Sequence, residues 1–138
     1  MEHTADAGAE ITGATLEDVF RGAIAALYAT LGFKGDAAIR PLLPVVVEAG
    51  GRSLDESLVA FLNELLFTLD ARRLLLPVEC TVDITSHLDW VTVLATGLGD
   101  RYSVKRYGPF REVKAATLHG LALVPGPGGF RARVVFDV

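Results

Sequence analysis

Within His3-Thr4-Ala5-Asp6 the sequence puts a ring nitrogen, a hydroxyl and a carboxylate into four positions. That is the first half of a metal site or a proton-handling site. Its other half is sought at the far end, where Phe136-Asp137-Val138 sets a carboxylate side chain beside the terminal carboxylate. If the two ends meet in space, three anionic groups converge. Only a cation or protons make such a convergence tolerable.

Other chemistry-bearing residues carry less. There is no Gly-x-Ser-x-Gly, no His-x-x-x-His pair and no dinucleotide fingerprint. Pro125-Gly126-Pro127-Gly128-Gly129 lacks a following Lys-Ser or Lys-Thr, so it is a hairpin turn and not a phosphate loop. Cys80 falls in an alternating pattern, the setting of a buried, inert thiol. His87 lies between strands and is expected to be solvated. His119 sits mid-strand, where a hydrogen-bonded structural histidine is the better reading.

The elements that must position these residues follow from periodicity. Ala7 to Thr12 reads as a strand closed by Gly13. Thr15 is a good helix cap, and Leu16, Val19, Phe20, Ala23, Ile24, Leu27, Tyr28 and Leu31 recur at helical spacing, with Gly32 as the stop. Pro41 and Pro44 make residues 33–44 a connection. Val45 to Ala49 is a β-branched strand. Ser53-Leu54-Asp55-Glu56 is a capping box opening a second helix, with Leu58, Phe61, Leu62, Leu65, Leu66 and Leu69 on its apolar face. After Pro77 the period changes to two: Val78, Cys80, Val82 and Ile84 alternate with polar residues. Trp90 to Thr96 is the next strand, residues 97–112 a long connection, and Val113 to Val124 and Phe130 to Val138 the last two strands. No internal repeat is visible. The pattern predicts an α+β fold in one domain, residues 1–138: two amphipathic helices packed on a mixed or antiparallel sheet layer of about six strands.

Composition bounds the partners. With 51% hydrophobic and 22% charged residues, the 138-residue chain has ample material for a core. No apolar run approaches a membrane span, and the start, Met1-Glu2-His3, does not read as a signal peptide. A single cysteine fits a reducing, cytoplasmic compartment. The net charge of −4 argues against a free-standing nucleic-acid binder. Yet Arg101, Lys105, Arg106, Arg111 and Lys114 stand against Glu112 alone, which suggests a docking surface for something anionic. Tyr102, Tyr107 and Phe110 in that segment either stack on bases or cover the edge of the domain.

Four stretches, in order and at suitable spacing, resemble the archease family. Glu2-His3-Thr4-Ala5-Asp6-Ala7-Gly8 is similar to its opening motif, with Glu2 for the family's Asp and Ala7 for its Val. Residues 58–67 resemble its second helix, ending near Asp70; residues 112–119 its penultimate strand; Val135-Phe136-Asp137-Val138 its last. The resemblance implies an accessory factor for the RtcB-type RNA ligase of tRNA splicing and repair. Such a factor promotes guanylylation and turnover of the ligase and is not itself an enzyme. It implies a divalent metal, calcium first, with manganese or magnesium as alternatives, on Asp6, Asp137 and Val138. Oxygen ligands of this kind suit hard cations. They are fewer than the roughly 6–8 that calcium takes, so the site is open to water or a partner group. His3, Lys114, Thr117 and His119 are the further candidates for contact with the ligase or its nucleotide, RNA being reached only through the ligase. Two other readings stand beside this one. A metal-dependent hydrolase would use Asp6, Asp137 and His119 on a small phosphorylated substrate, and an RNA-binding chaperone would act through residues 101–114.

Overall fold

Two strand–helix units of the same local design begin the chain in the computed structural model, which describes residues 7–33, 39–118 and 123–138. The first runs from β1 (Ala7–Gly13) into α1 (Leu16–Leu31), the second from β2 (Leu43–Gly51) into α2 (Leu54–Arg72). One constant offset relates them. Gly13 corresponds to Gly51, the cap Thr15 to Ser53, and buried Phe20, Ile24, Leu27 and Leu31 to Leu58, Leu62, Leu65 and Leu69. Even Thr30 and Thr68 correspond, each donating its hydroxyl to the carbonyl one turn back, Ala26 at 2.9 Å and Glu64 at 2.8 Å. The glycines are required by close approach. A Cβ on Gly13 would lie 2.8 Å from the Val19 nitrogen, and one on Gly51 the same 2.8 Å from the Ser57 nitrogen. This likeness corrects the expectation of no repeat: it rests mostly on residue class, with Gly13/Gly51, Leu27/Leu65, Thr30/Thr68 and Leu31/Leu69 among its few identities.

The caps hold as their residue types require. The Asp18 N–H donates to the Thr15 hydroxyl at 3.1 Å, and the Glu56 N–H to the Ser53 hydroxyl at 3.2 Å. Gly32 and Arg73 end the helices, both in the left-handed region.

The remaining elements are β3 (Leu74–Leu75), β4 (Thr81–His87), β5 (Trp90–Arg101), α3 (Val104–Tyr107), β6 (Ala115–Leu118), β7 (Val124–Gly126) and β8 (Gly129–Asp137). The fold is α+β, as expected, but with three helices and eight strands among the described residues instead of two and about six. All described strand pairs are antiparallel and form two sheets. In one, β8 is flanked by β1 on one side and by β6 and β7 on the other; in the second, β5 is flanked by β2 and by β3 and β4.

Strand β2 extends two residues beyond Val45 and Ala49 at each end, and three further boundaries differ from expectation. The strand sought from Val78 begins at Thr81, because Val78 and Glu79 make a turn. Strand β5 runs on through Gly97 and Gly99 to Arg101, and α3 follows within what reads as loop. Of the strand sought over residues 113–124, Ala115–Leu118 form β6 and Val124 begins β7, Val113, Lys114 and Leu123 are outside any strand, and residues 119–122 lie outside the described residues.

Helix α1 packs on β1 and β8 and reaches β4; α2 packs on β2 and β5 and reaches β6. Each helix therefore ties one sheet to the other. They meet at Phe20 and Phe61, edge to face at 5.7 Å. Tyr28 donates its hydroxyl to the Leu76 carbonyl at 2.7 Å, and burial pushes its phenol up. Burial likewise pushes up the Cys80 thiol, as befits an inert core cysteine.

Candidate functional site

Strand β8 brings Asp137 to its end with the side chain exposed. The Asp137 carbonyl accepts the Lys114 N–H at 2.7 Å, just ahead of β6, where Ala115 stands opposite Asp137. Val138 is half-buried and packs against the core. On the other flank of β8, Ala7 stands opposite Phe136. Asp6, the residue before Ala7, lies outside the described residues, as do His3 and His119. Thr117 is exposed on β6 opposite Val135. The structure thus brings together Asp137, Val138 and Lys114. Among the described residues no three His, Cys, Asp or Glu side chains cluster as a metal site would need.

Beside Lys114 a cleft of about 690 Å³ opens between α2 and residues 110–115. Leu31, Leu66, Leu69 and Val113 give it apolar walls; Asn63, Asp70, Glu112 and Lys114 supply two carboxylates, an ammonium and an amide. Phe67 is 51% exposed, with the Arg72 guanidinium 5.7 Å above its ring. Carboxylates and an ammonium around an apolar floor suit a protein surface or a polar ligand. No nucleophile–base pair is present among the described residues lining the cleft.

Asn63 holds this region in shape. Its amide accepts the Ala116 N–H at 2.8 Å and donates to the Ala116 carbonyl at 3.3 Å. The edge of β6 is thereby satisfied by a side chain where another strand would otherwise be needed. Near β7, the Leu123 N–H donates to the Asp55 carboxylate at 3.0 Å. Sequence reading passed over Asn63 as one polar residue among leucines. Its signal was an amide between Leu62 and Leu65, two positions of the buried face.

The aromatic residues of the basic segment are not a stacking platform. Tyr107 is 1% exposed, and Tyr102 and Phe110 pack with Phe33 at ring separations of 6.0 Å each. They cover the edge of the fold, the second of the two roles open to them. Beneath them lies Asp100, a buried carboxylate that sequence reading did not single out. It accepts the Tyr107 hydroxyl at 2.6 Å, the Arg40 Nε at 3.0 Å and the Arg101 N–H at 2.8 Å. Burial pushes its carboxyl up; the three donors and the Arg40 charge outweigh that and hold it below the usual range. His87 is exposed at the end of β4, as expected.

Known proteins of similar sequence and shape fit this geometry. The model of the Archease protein family (MTH1598/TM1083) matches residues 1–138. The protein archease of Pyrococcus furiosus is 29% identical, over 99% of this chain and 95% of its own. That of Archaeoglobus fulgidus is 30% identical, over 100% and 96%. The solution structure of Methanobacterium thermoautotrophicum protein 1598 superposes with a TM-score of 0.74 at 28% identity, over 100% of this chain and 96% of that one. A crystal structure from Thermotoga maritima, described as an archease and possible chaperone, shares the fold with a TM-score of 0.62 at 18% identity, over 100% and 94%.

Proposed function

Because this chain belongs to the archease family, we propose that it is a metal-binding accessory factor that activates an RtcB-type RNA ligase in tRNA splicing and RNA repair. It promotes guanylylation and turnover of the ligase and is not a ligase itself. Asp6, Asp137 and Val138 would hold a divalent cation, calcium first and manganese or magnesium as alternatives. When bound, that ion supplies an open coordination position for oxygen groups of the partner. Lys114 sets a positive charge on the rim of the cleft, suited to an anionic group of the ligase or its nucleotide. At the metal site and the cleft beside Lys114, RNA is reached through the ligase.

The observation that supports this reading is the register of β8 against β1. It sets Ala7 opposite Phe136, and these are the covalent neighbours of Asp6 and Asp137. The exposed Asp137 carboxylate offers one hard oxygen donor of the kind such an ion takes. The test is a calcium titration and a guanylylation time course with a ligase partner, run on the parent and on Asp137→Asn. The variant should lose metal affinity at least tenfold and lose stimulation, with its circular dichroism unchanged. Equal stimulation by both would overturn the metal reading. A Lys114→Ala variant that stimulates as well as the parent would remove Lys114 from the site.

A further inference from the structure

Beside Tyr107, Arg40, Ser103, Lys105 and Arg106 line a second cleft of about 410 Å³. All four are exposed. Three cations and a hydroxyl share this opening, and none of the described residues lining it is acidic. In a chain of net charge −4 that is a local reversal of sign.

A run of surface cations is ordinarily a solvated face. Here the groups are held. The Arg40 Nε is fixed on the Asp100 carboxylate at 3.0 Å, and the Arg40 N–H on the Tyr107 hydroxyl oxygen at 3.2 Å. The Arg106 guanidinium lies 5.6 Å above the Tyr107 ring, and the Arg106 N–H donates to the Ser103 hydroxyl oxygen at 3.3 Å. One buried unit, Asp100 with Tyr107, therefore anchors both arginines. Pinning Arg40 through Nε leaves its two Nη groups with no hydrogen bond among the described residues. Those groups form one side of the guanidinium fork that matches a phosphate. The Asp100 carboxylate offsets the Arg40 charge, so Lys105 and Arg106 are the cations of the cleft left without an anionic partner among the described residues.

We propose that this cleft is a phosphate-binding site, independent of the metal site at the end of β8, taking a phosphate ester of a nucleotide or of a single RNA strand. Arg40 and Arg106 grip the phosphate oxygens, Lys105 adds a mobile charge, and the Ser103 hydroxyl donates the remaining hydrogen bond. The buried Asp100–Tyr107 pair sets the spacing of the two guanidinium groups before the ligand arrives, which lowers the ordering cost of binding.

The experiment is calorimetric titration of the full chain at several salt concentrations with inorganic pyrophosphate, ATP and a 5′-phosphorylated single-stranded RNA octamer. The parent is compared with Lys105→Gln/Arg106→Gln and with a control of equal charge change, Arg131→Gln/Arg133→Gln, on exposed positions of β8. All four altered residues are exposed, so each variant should fold; unfolding curves check this. The cleft variant should bind at least tenfold more weakly, and the control within about twofold of the parent. With the octamer, the slope of log affinity against log salt should shrink by about 1.4 if two phosphate contacts are lost. Tighter binding of the octamer than of ATP assigns the ester to RNA, the reverse to a nucleotide; both support the site. Equal weakening by the two double variants would show only the general field of the protein and overturn the proposal. So would a parent that binds none of the three probes.

Discussion

The two strand–helix units share a plan and differ in what they hold. In the first, α1 presents an apolar stripe to β1 and β8, and Ala25 occupies the position that corresponds to Asn63. In the second, Asn63 and Asp55 reach out of the helix to the backbone at Ala116 and Leu123. In the first copy the side chains that leave the helix, Tyr28 to the Leu76 carbonyl and Arg21 to the Cys80 carbonyl, hold the approach to β4; in the second they hold β6 and the approach to β7. The candidate cleft lies beside the second copy. The difference between them is carried by single side chains, since core spacing, glycine and cap are common to both.

The largest test of the shared plan is the paired change Gly13→Ala and Gly51→Ala. Each new methyl meets backbone at the start of its helix, so each variant should lose about 3 kcal/mol in denaturant unfolding. Loss in one and tolerance in the other would end the equivalence of the two units. Next comes Asn63→Ala, which makes the second unit resemble the first. It leaves the N–H and C=O of buried Ala116 unpaired and should cost about 2 kcal/mol. Hydrogen exchange at Ala116 should accelerate while that of β1 stays slow; uniform acceleration would deny a local clamp.

Smaller effects sharpen the ends of the helices. Gly32 has φ of 80° and Arg73 has φ of 57°, so the first unit ends on the residue suited to that region and the second does not. Gly32→Ala should lose, and Arg73→Gly gain, about 1 kcal/mol in thermal unfolding. The same sign in both would refute the comparison. Smallest is the difference between Thr15→Ala and Ser53→Ala. Each should cost about 1 kcal/mol. The serine change should cost a few tenths of a kcal/mol more, because Ser53 is the better cap residue and stands in a capping box whose Glu56 side chain accepts the Arg52 N–H. Circular dichroism melts of the two variants measure it.

The two long helices, α1 and α2, and their N-caps were legible in the sequence because burial at every third or fourth residue leaves a dense signal. The reach of β5 was not. Gly97 and Gly99 read as loop, yet a Cβ at Gly99 would collide with the Leu75 carbonyl of β3. There the glycine reports a neighbour from elsewhere in the sequence, which no local pattern contains. Asp137 stood out beside the terminal carboxylate and Lys114 within a basic run, but their roles came from family likeness, since an exposed carboxylate and an exposed lysine carry no periodic mark. Asp100 and Arg40 were invisible for the same reason as Gly99: their partnership spans residues far apart in sequence.

The pairing of β1 with β8 bears on how the chain matures. Strands β4 and β5 are joined by a tight turn, whereas Ala7 finds Phe136 across almost the entire sequence. Closing the longer loop costs roughly 3 kcal/mol more in chain entropy. During synthesis the sheet around β5 can therefore assemble from segments already made, while α1 has β1, β4 and α2 to pack on but still lacks β8. The arrival of β8 completes the core under α1 and sets Asp137 at the end of its strand in one event. A nascent chain has no finished candidate site until it has a finished fold.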